Sequence, residues 1–168
     1  GVQKIITLSP HSYNVFKNRY PALGGKFEVF HHSQVLARLV KKGKLTIAEQ
    51  PDTRITFHDP CFLGRWNREY NAPRKVLGAV PGATLLEMQR NRQGALCCGG
   101  GAGNFLTDLL GGSEDSPSRI RAREAGATGA TVLAVACPNC LTMLEDAVKV
   151  EGLEDEIKVR DISEIVSA

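Results

Sequence analysis

Apolar positions along this chain follow two alternating rhythms, short β-branched runs and longer stretches with helical spacing. Residues 4–8 form an apolar, β-prone run that predicts a buried strand, and residues 12–20 follow with helix-like spacing. A strand over 27–30 and a helix over 33–42 repeat the alternation. The aromatic and β-branched run over 54–58 predicts a strand that stops at Asp59-Pro60. Residues 72–79 predict a short helix closed by Pro81-Gly82, and 84–88 a further strand. Helices are expected over 105–110 and over 118–127, the latter with Pro117 just before it and a glycine at its end. Residues 131–136 read as a central parallel strand and 141–150 as an amphipathic helix. Strands separated by helical crossovers imply an α/β fold, a Rossmann-like parallel sheet with helices on both faces. Such sheets build their sites at the carboxyl ends of strands.

Two blocks of the chain match at one offset. Ile5-Ile6-Thr7-Leu8-Ser9-Pro10-His11-Ser12 resembles Val132-Leu133-Ala134-Val135-Ala136-Cys137-Pro138-Asn139-Cys140. Phe27-Glu28-Val29 followed by Ser33-Gln34-Val35-Leu36 parallels Ile157-Lys158-Val159 followed by Ser163-Glu164-Ile165-Val166. The offset is about 130 residues in both cases, and the order is kept. Residues 1–44 are therefore expected to be the tail of a preceding, degenerate repeat, and residues 45–168 a complete second copy. The leading Gly1 in place of Met fits a cleavage scar or an excised fragment, and the chain is expected to be a piece of a longer protein or a truncated natural variant.

Composition narrows the function classes. Hydrophobic residues at 42% and charged residues at 23% suit a globular core, and the longest apolar stretch, residues 132–137, is far short of a membrane span. A net charge of +3 without a basic run gives no footprint for nucleic acid. Five cysteines, Cys61, Cys97, Cys98, Cys137 and Cys140, are an odd number for a disulfide framework. They imply a reducing, cytoplasmic setting and thiolate chemistry. Each falls after an expected strand, so one sheet edge gathers every thiol.

Four or more soft thiolates at one point suit zinc or an iron–sulfur cluster and exclude carboxylate metals. Zinc sites usually come as two CxxC pairs or a CxxC with a histidine pair. Here a lone cysteine, an adjacent pair and one CxxC favour a multi-iron cluster. The Cys137–Cys140 pair alone also fits a thioredoxin-like dithiol. In the run from Gly99 to Gly103, residues Gly99, Gly100 and Gly101 permit close backbone approach, with N–H groups available to anionic sulfides. The same run as a phosphate loop lacks both the G-x-G-x-x-G spacing and a following Lys-Ser/Thr. Arg65, Arg90 and Arg92 are placed to offset cluster charge. No general-base pair or nucleophilic triad stands out, so any enzyme chemistry would belong to the cofactor.

The succession Cys61, then Cys97-Cys98-Gly99, then Cys137-Pro138-Asn139-Cys140, with intervening gaps of 35 and 38 residues and the lead-in His58-Asp59-Pro60, resembles the CCG cysteine-rich domain family. That family includes heterodisulfide reductase B- and D-type subunits and the iron–sulfur subunits of glycolate and lactate oxidation systems. The resemblance implies that all five cysteines are ligands of a four-iron cluster, which in some members is non-cubane. It implies electron transfer to other redox subunits and onward to a thiol, disulfide or quinone-linked acceptor. The departure is Ser9-Pro10-His11-Ser12, where two-motif members carry a second CxxC. Serine hydroxyls stay protonated and ligate iron poorly, so one metal site and single-cluster relay are expected.

Other residues carry two readings each. His58 is either a donor beside the site or a strand-end histidine satisfied by backbone. His31 and His32 fit helix capping or packing between repeats better than ligation. Phe62, Trp66 and Tyr70 fit core packing before a substrate cleft, and residues 119–124 fit a solvated helix face. The competing function is a non-redox, zinc-stabilised scaffold domain using the same cysteines.

Overall fold

In the computed structural model, which describes residues 1–101, 103–107 and 112–167, strand and helix alternate from end to end. β1 (Lys4–Thr7), α1 (Pro10–Asn18), β2 (Glu28–His31) and α2 (His32–Lys41) form a first unit, with a 3-10 turn at Tyr20–Leu23. β3 (Arg54–Phe57), α3 (Asn71–Leu77), β4 (Thr84–Leu86), α4 (Asn104–Thr107), α5 (Pro117–Gly126), β5 (Val132–Val135), α6 (Pro138–Val150), β6 (Lys158–Asp161) and α7 (Ile162–Ser167) follow. The helix expected over 105–110 corresponds to α4; residues 108–110 lie outside the described residues.

All strand pairs are parallel, as helical crossovers require. They make two sheets rather than one: a pair, β1-β2, and four strands in the order β4-β3-β5-β6. The first unit packs through Tyr13 against one face of the four-stranded sheet instead of extending it. The order places the topological switch between β3 and β5, because the chain leaves β3 towards β4 and then crosses back. Ligand crevices in such sheets open at that switch.

Each face of the larger sheet is covered. On one side Leu133 and Val135 of β5 pack with Ala122 and Ala125 of α5 and Leu144 and Val148 of α6. On the other, Ile55, Phe57 and Ala134 pack with Leu77 of α3, Ile165 of α7 and Tyr13 of the first unit. The two-residue alternation of β3 therefore sends Ile55 and Phe57 one way and the buried Thr56 and His58 the other, under α5.

The first and last units share their construction. α1 and α6 each start with proline, after Ser9 and Cys137 in extended conformation. α2 and α7 begin alike: the His31 N–H donates to Gln34 Oε1 at 3.1 Å, and the Asp161 N–H to Glu164 Oε2 at 2.8 Å. The two starts meet where His32 Nε2 lies 3.3 Å from Asp161 Oδ1. The capping and packing reading of His31 and His32 is what the fold uses.

Candidate metal centre

Three segments deliver the thiols to the switch between β3 and β5. His58 continues β3, its N–H donating to the Ala134 carbonyl at 2.9 Å, and the chain then turns at Pro60, whose carbonyl accepts from Leu63 and Gly64. That turn sets Cys61. Asp59 anchors it: Arg74 Nη1 and Nη2 donate to both carboxylate oxygens at 2.7 and 2.9 Å, and the Arg92 N–H to Oδ2 at 2.7 Å. Cys97 and Cys98 arrive on the loop after β4. Cys137 caps α6, and Cys140 lies in its first turn.

All five cysteines are free thiols and line one cavity, together with Pro10, His11, Pro60, Phe62, Gly100 and Gly101. Their sulfurs form an unbroken sequence of contacts. Hydrogen bonds link Cys61 with Cys97, Cys97 with Cys98 and Cys140 with Cys137, and the Cys140 thiol donates to Cys98 Sγ at 3.3 Å. Backbone donors reach the sulfurs from outside. The Gly99 N–H meets Cys97 Sγ at 3.4 Å, Gly100 serves Cys98, Phe62 serves Cys61, and Asn139 and Cys140 serve Cys137 from the start of α6. Gly99 adopts φ +81°, which a side chain resists, and a Cβ on Gly100 would come 2.9 Å from Met143 Cγ. Gly101 lines the cavity with open space at its Cβ position.

Proton sharing polarises the set. Hydrogen bonds from the Cys61 and Cys98 thiols hold Cys97 down to about 2. The Cys140 thiol draws Cys137 down, helped by the helix-start N–H groups. Cys61 is raised by donating to Cys97 and by burial, and Cys140 by donating to Cys137 and Cys98. Cys98 is eased by Cys140 but pushed up to about 12 by donating to Cys97 and by burial. Hydrogen bonding within the set thus lowers Cys97 and Cys137 and raises Cys61, Cys98 and Cys140.

His58 is fully buried beside this set, and one of its ring nitrogens lies within 4.8 Å of the Cys98 and Cys140 sulfurs. Burial, and then the Arg121 charge, push it down to about 3. Of the arginines expected to face the site, Arg65 binds the Ala95 carbonyl on the cysteine loop and its charge acts on His58, whereas Arg90 pairs with Glu124 and Arg92 with Asn71. Arg121 reaches inward instead. The solvated-face reading of residues 119–124 is corrected at this position, where Arg121 is 0% exposed and held by His58, the Arg90 carbonyl and Glu124. Core packing fails for Trp66, which is 62% exposed and stacks on Phe62 with 5.7 Å between ring centroids. Phe62 in turn meets His11 at 4.2 Å, so the first unit roofs the thiol cavity. His11 escaped the sequence reading, although the match of Pro10 with Pro138 placed it opposite Asn139. An open groove between α2 and α3, lined by Gln34, Arg38, Lys41, Glu69 and Lys75, contains none of the cysteines.

A family model described as "Cysteine-rich domain" and designated CCG matches residues 55–145. The chain belongs to the CCG cysteine-rich domain family. Among curated proteins, the CCG domain here is 45% identical over 169 residues to the "Probable iron-sulfur-binding oxidoreductase FadF" of Bacillus subtilis (strain 168), covering 99% of this chain and 23% of that protein. It is 37% identical over 171 residues to the "EtfAB:quinone oxidoreductase" of Syntrophomonas wolfei, covering 99% of this chain and 24% of that protein. It is 36% identical over 172 residues to the D-type subunit of the dihydromethanophenazine:CoB–CoM heterodisulfide reductase of Methanosarcina barkeri, covering 99% of this chain and 41% of that protein. The chain thus spans between about a quarter and two fifths of the length of these relatives. Among the described residues no helix is long and apolar enough to cross a membrane.

Proposed function

We propose that this CCG domain is an electron-transfer module of a heterodisulfide reductase-like oxidoreductase, holding an iron–sulfur cluster on Cys61, Cys97, Cys98, Cys137 and Cys140. The unbroken sulfur sequence, lining one cavity and served by backbone N–H groups, carries the reading. The donor set fits iron: five soft thiols exceed the four ligands of a tetrahedral zinc site. The relatives' names speak of iron–sulfur and redox proteins, and the zinc scaffold finds no support in them. When bound, an iron–sulfur cluster supplies one-electron transfer. The chain's own residues hold and orient it. Gly99 and Gly100 direct N–H groups at sulfur, α6 presents its start to Cys137, and Phe62, Pro10 and Pro60 wall off water.

The adjacent pair Cys97-Cys98, both on the cavity wall, supports a four-iron cluster of the non-cubane kind, which both thiols would help to hold. The partners are other redox subunits or domains, with a disulfide, thiol or quinone-linked acceptor beyond them; the names of the Methanosarcina and Syntrophomonas relatives support both acceptor classes. Five unpaired thiols support a reducing, cytoplasmic side for the site. The matched construction of β1-α1-β2-α2 and β5-α6-β6-α7 supports residues 1–44 as the tail of a degenerate repeat, with Ser9 and Ser12 standing where Cys137 and Cys140 stand in the complete one.

Iron and sulfide analysis after anaerobic reconstitution, with absorption and EPR spectra of the same sample, tests the assignment. About four irons with matching sulfide, lost in Cys98→Ser and Cys137→Ser, is the expected result. One zinc per chain with no iron uptake would overturn it.

A further inference from the structure

His58 has surroundings that five-cysteine ligation leaves unexplained. Its Nδ1 accepts a hydrogen bond from Arg121 Nε–H at 3.2 Å. Among the described residues its Nε2 is buried without a partner. A guanidinium N–H is only ever a donor, so Nδ1 must offer its lone pair and the neutral ring carries its proton on Nε2. Leaving a buried N–H without an acceptor is costly, because its lost hydration is not made good. Sulfurs are among the neighbouring groups able to accept it, since a ring nitrogen of His58 and the sulfurs of Cys98 and Cys140 lie within 4.8 Å of one another.

The same trio has the spacing of a metal-binding group, but the tautomer forbids that role. Coordination through Nε2 would require its proton to move to Nδ1, where the Arg121 Nε–H already points. Arg121 cannot turn aside, because it is wholly buried and its Nη1 donates to the Arg90 carbonyl at 2.6 Å and to Glu124 Oε2 at 2.9 Å. The sequence Glu124–Arg121–His58 is therefore a fixed line of hydrogen bonds that ends in one N–H beside the thiols.

We propose that His58 donates its Nε2–H to a sulfur of the cluster site and that Arg121 is the positioning residue that fixes this tautomer, so the pair raises the cluster's reduction potential without ligating iron. The inference rests on the cluster assignment above. A hydrogen bond donated to sulfur favours the more negative, reduced state, and so does the buried guanidinium charge behind it.

Pulsed EPR on the iron-loaded protein carrying 15N-histidine tests the contact without any substitution. The expected result is a weak nitrogen coupling to the cluster that disappears in His58→Phe. A strong coupling typical of direct ligation, or none, overturns the proposal. Redox titration supplies the second readout. His58→Phe and Arg121→Met are expected to keep full iron and sulfide with the midpoint shifted to lower potential, whereas His58→Gln, which retains an N–H donor, recovers part of the shift. Arg121→Met is expected to shift the midpoint less in the His58→Phe background than alone. Iron loss in His58→Phe matching that of Cys98→Ser would make His58 a ligand and overturn the proposal, and so would full iron with an unmoved midpoint. Those results leave the cluster assignment standing, whereas a wild-type protein that takes zinc and no iron sinks both.

Discussion

The Asp59–Arg74 pair offers a quantitative test of how the thiol edge is held. Asp59 and Arg74 are 3% and 8% exposed at their side chains, and two N–H groups of the guanidinium grip both carboxylate oxygens. Asp59→Ala removes these bonds and the Arg92 backbone bond, leaving a buried guanidinium with Glu87 Oε1 at 2.5 Å and the Tyr70 carbonyl at 2.9 Å. Breaking a buried pair by deleting one partner costs roughly 3–5 kcal/mol. Because Glu87 remains, about 3 kcal/mol is expected, or a fall in Tm of roughly 6–12 °C for a chain of this size. Urea denaturation of the metal-free, reduced protein is the assay, so that metal release does not mix with unfolding. Arg74→Met alone and the double substitution complete the cycle. The double substitution should be more stable than the sum of the singles predicts, by roughly 1–3 kcal/mol. A cost below about 1 kcal/mol for Asp59→Ala, or strict additivity in the cycle, would refute the view that this pair pins the turn carrying Cys61.

Two further perturbations probe the loop and the junction between the units. Gly99→Ala forces a side chain into φ +81° and should cost about 1–2 kcal/mol, whereas Gly101→Ala, with open space at its Cβ position, should be near neutral; urea midpoints of the two variants compare them directly. His31 is buried, with Nε2 at 3.1 Å from the Leu8 carbonyl and Nδ1 at 2.8 Å from Ser33 Oγ, and burial first, then the neighbouring His32, hold it down to about 3. The folded protein therefore refuses a proton that the unfolded chain binds below about 6.5. Stability is retained above that pH and falls by about 1.4 kcal/mol per unit as pH drops towards 3. His31→Asn should remove about one proton's worth of this slope between pH 4 and 6 in urea titrations, and an unchanged slope would count against the assignment.

What the sequence disclosed and withheld has a physical basis. Strand ends were legible because β-branched runs stop at Asp59-Pro60 and at Cys137-Pro138, and those stops placed Cys61 and Cys137 on one edge. The adjacent Cys97-Cys98 and the glycines after them announced their own geometry. Arg121 was hidden because its partners, His58 and the Arg90 carbonyl, lie 63 and 31 residues away, while locally it sits in a charged helical run. Trp66 misled because an aromatic residue defaults to the core, and His11 escaped because only the fold brings it to the cavity wall. The split into two sheets is a matter of which strands pair across the chain, a non-local outcome that periodicity does not encode.

The 3.3 Å approach of Cys98 and Cys140 also governs how the metal-free protein meets an oxidant. The two sulfurs need close by little more than about 1 Å to reach a covalent bond of about 2.05 Å. An oxidant that accepts two electrons, as two protons leave, therefore finds a resolving thiol already at hand. Damage is diverted into a bridge that small thiols reopen, ahead of the sulfinic and sulfonic acids that no ordinary reductant reverses. Because both sulfurs are buried, the first strike falls on the more accessible Cys61 or Cys97, and their contacts with the rest of the set let the oxidation pass inward by exchange. The crowding that serves metal binding is thus also a safeguard, leaving an emptied site repairable.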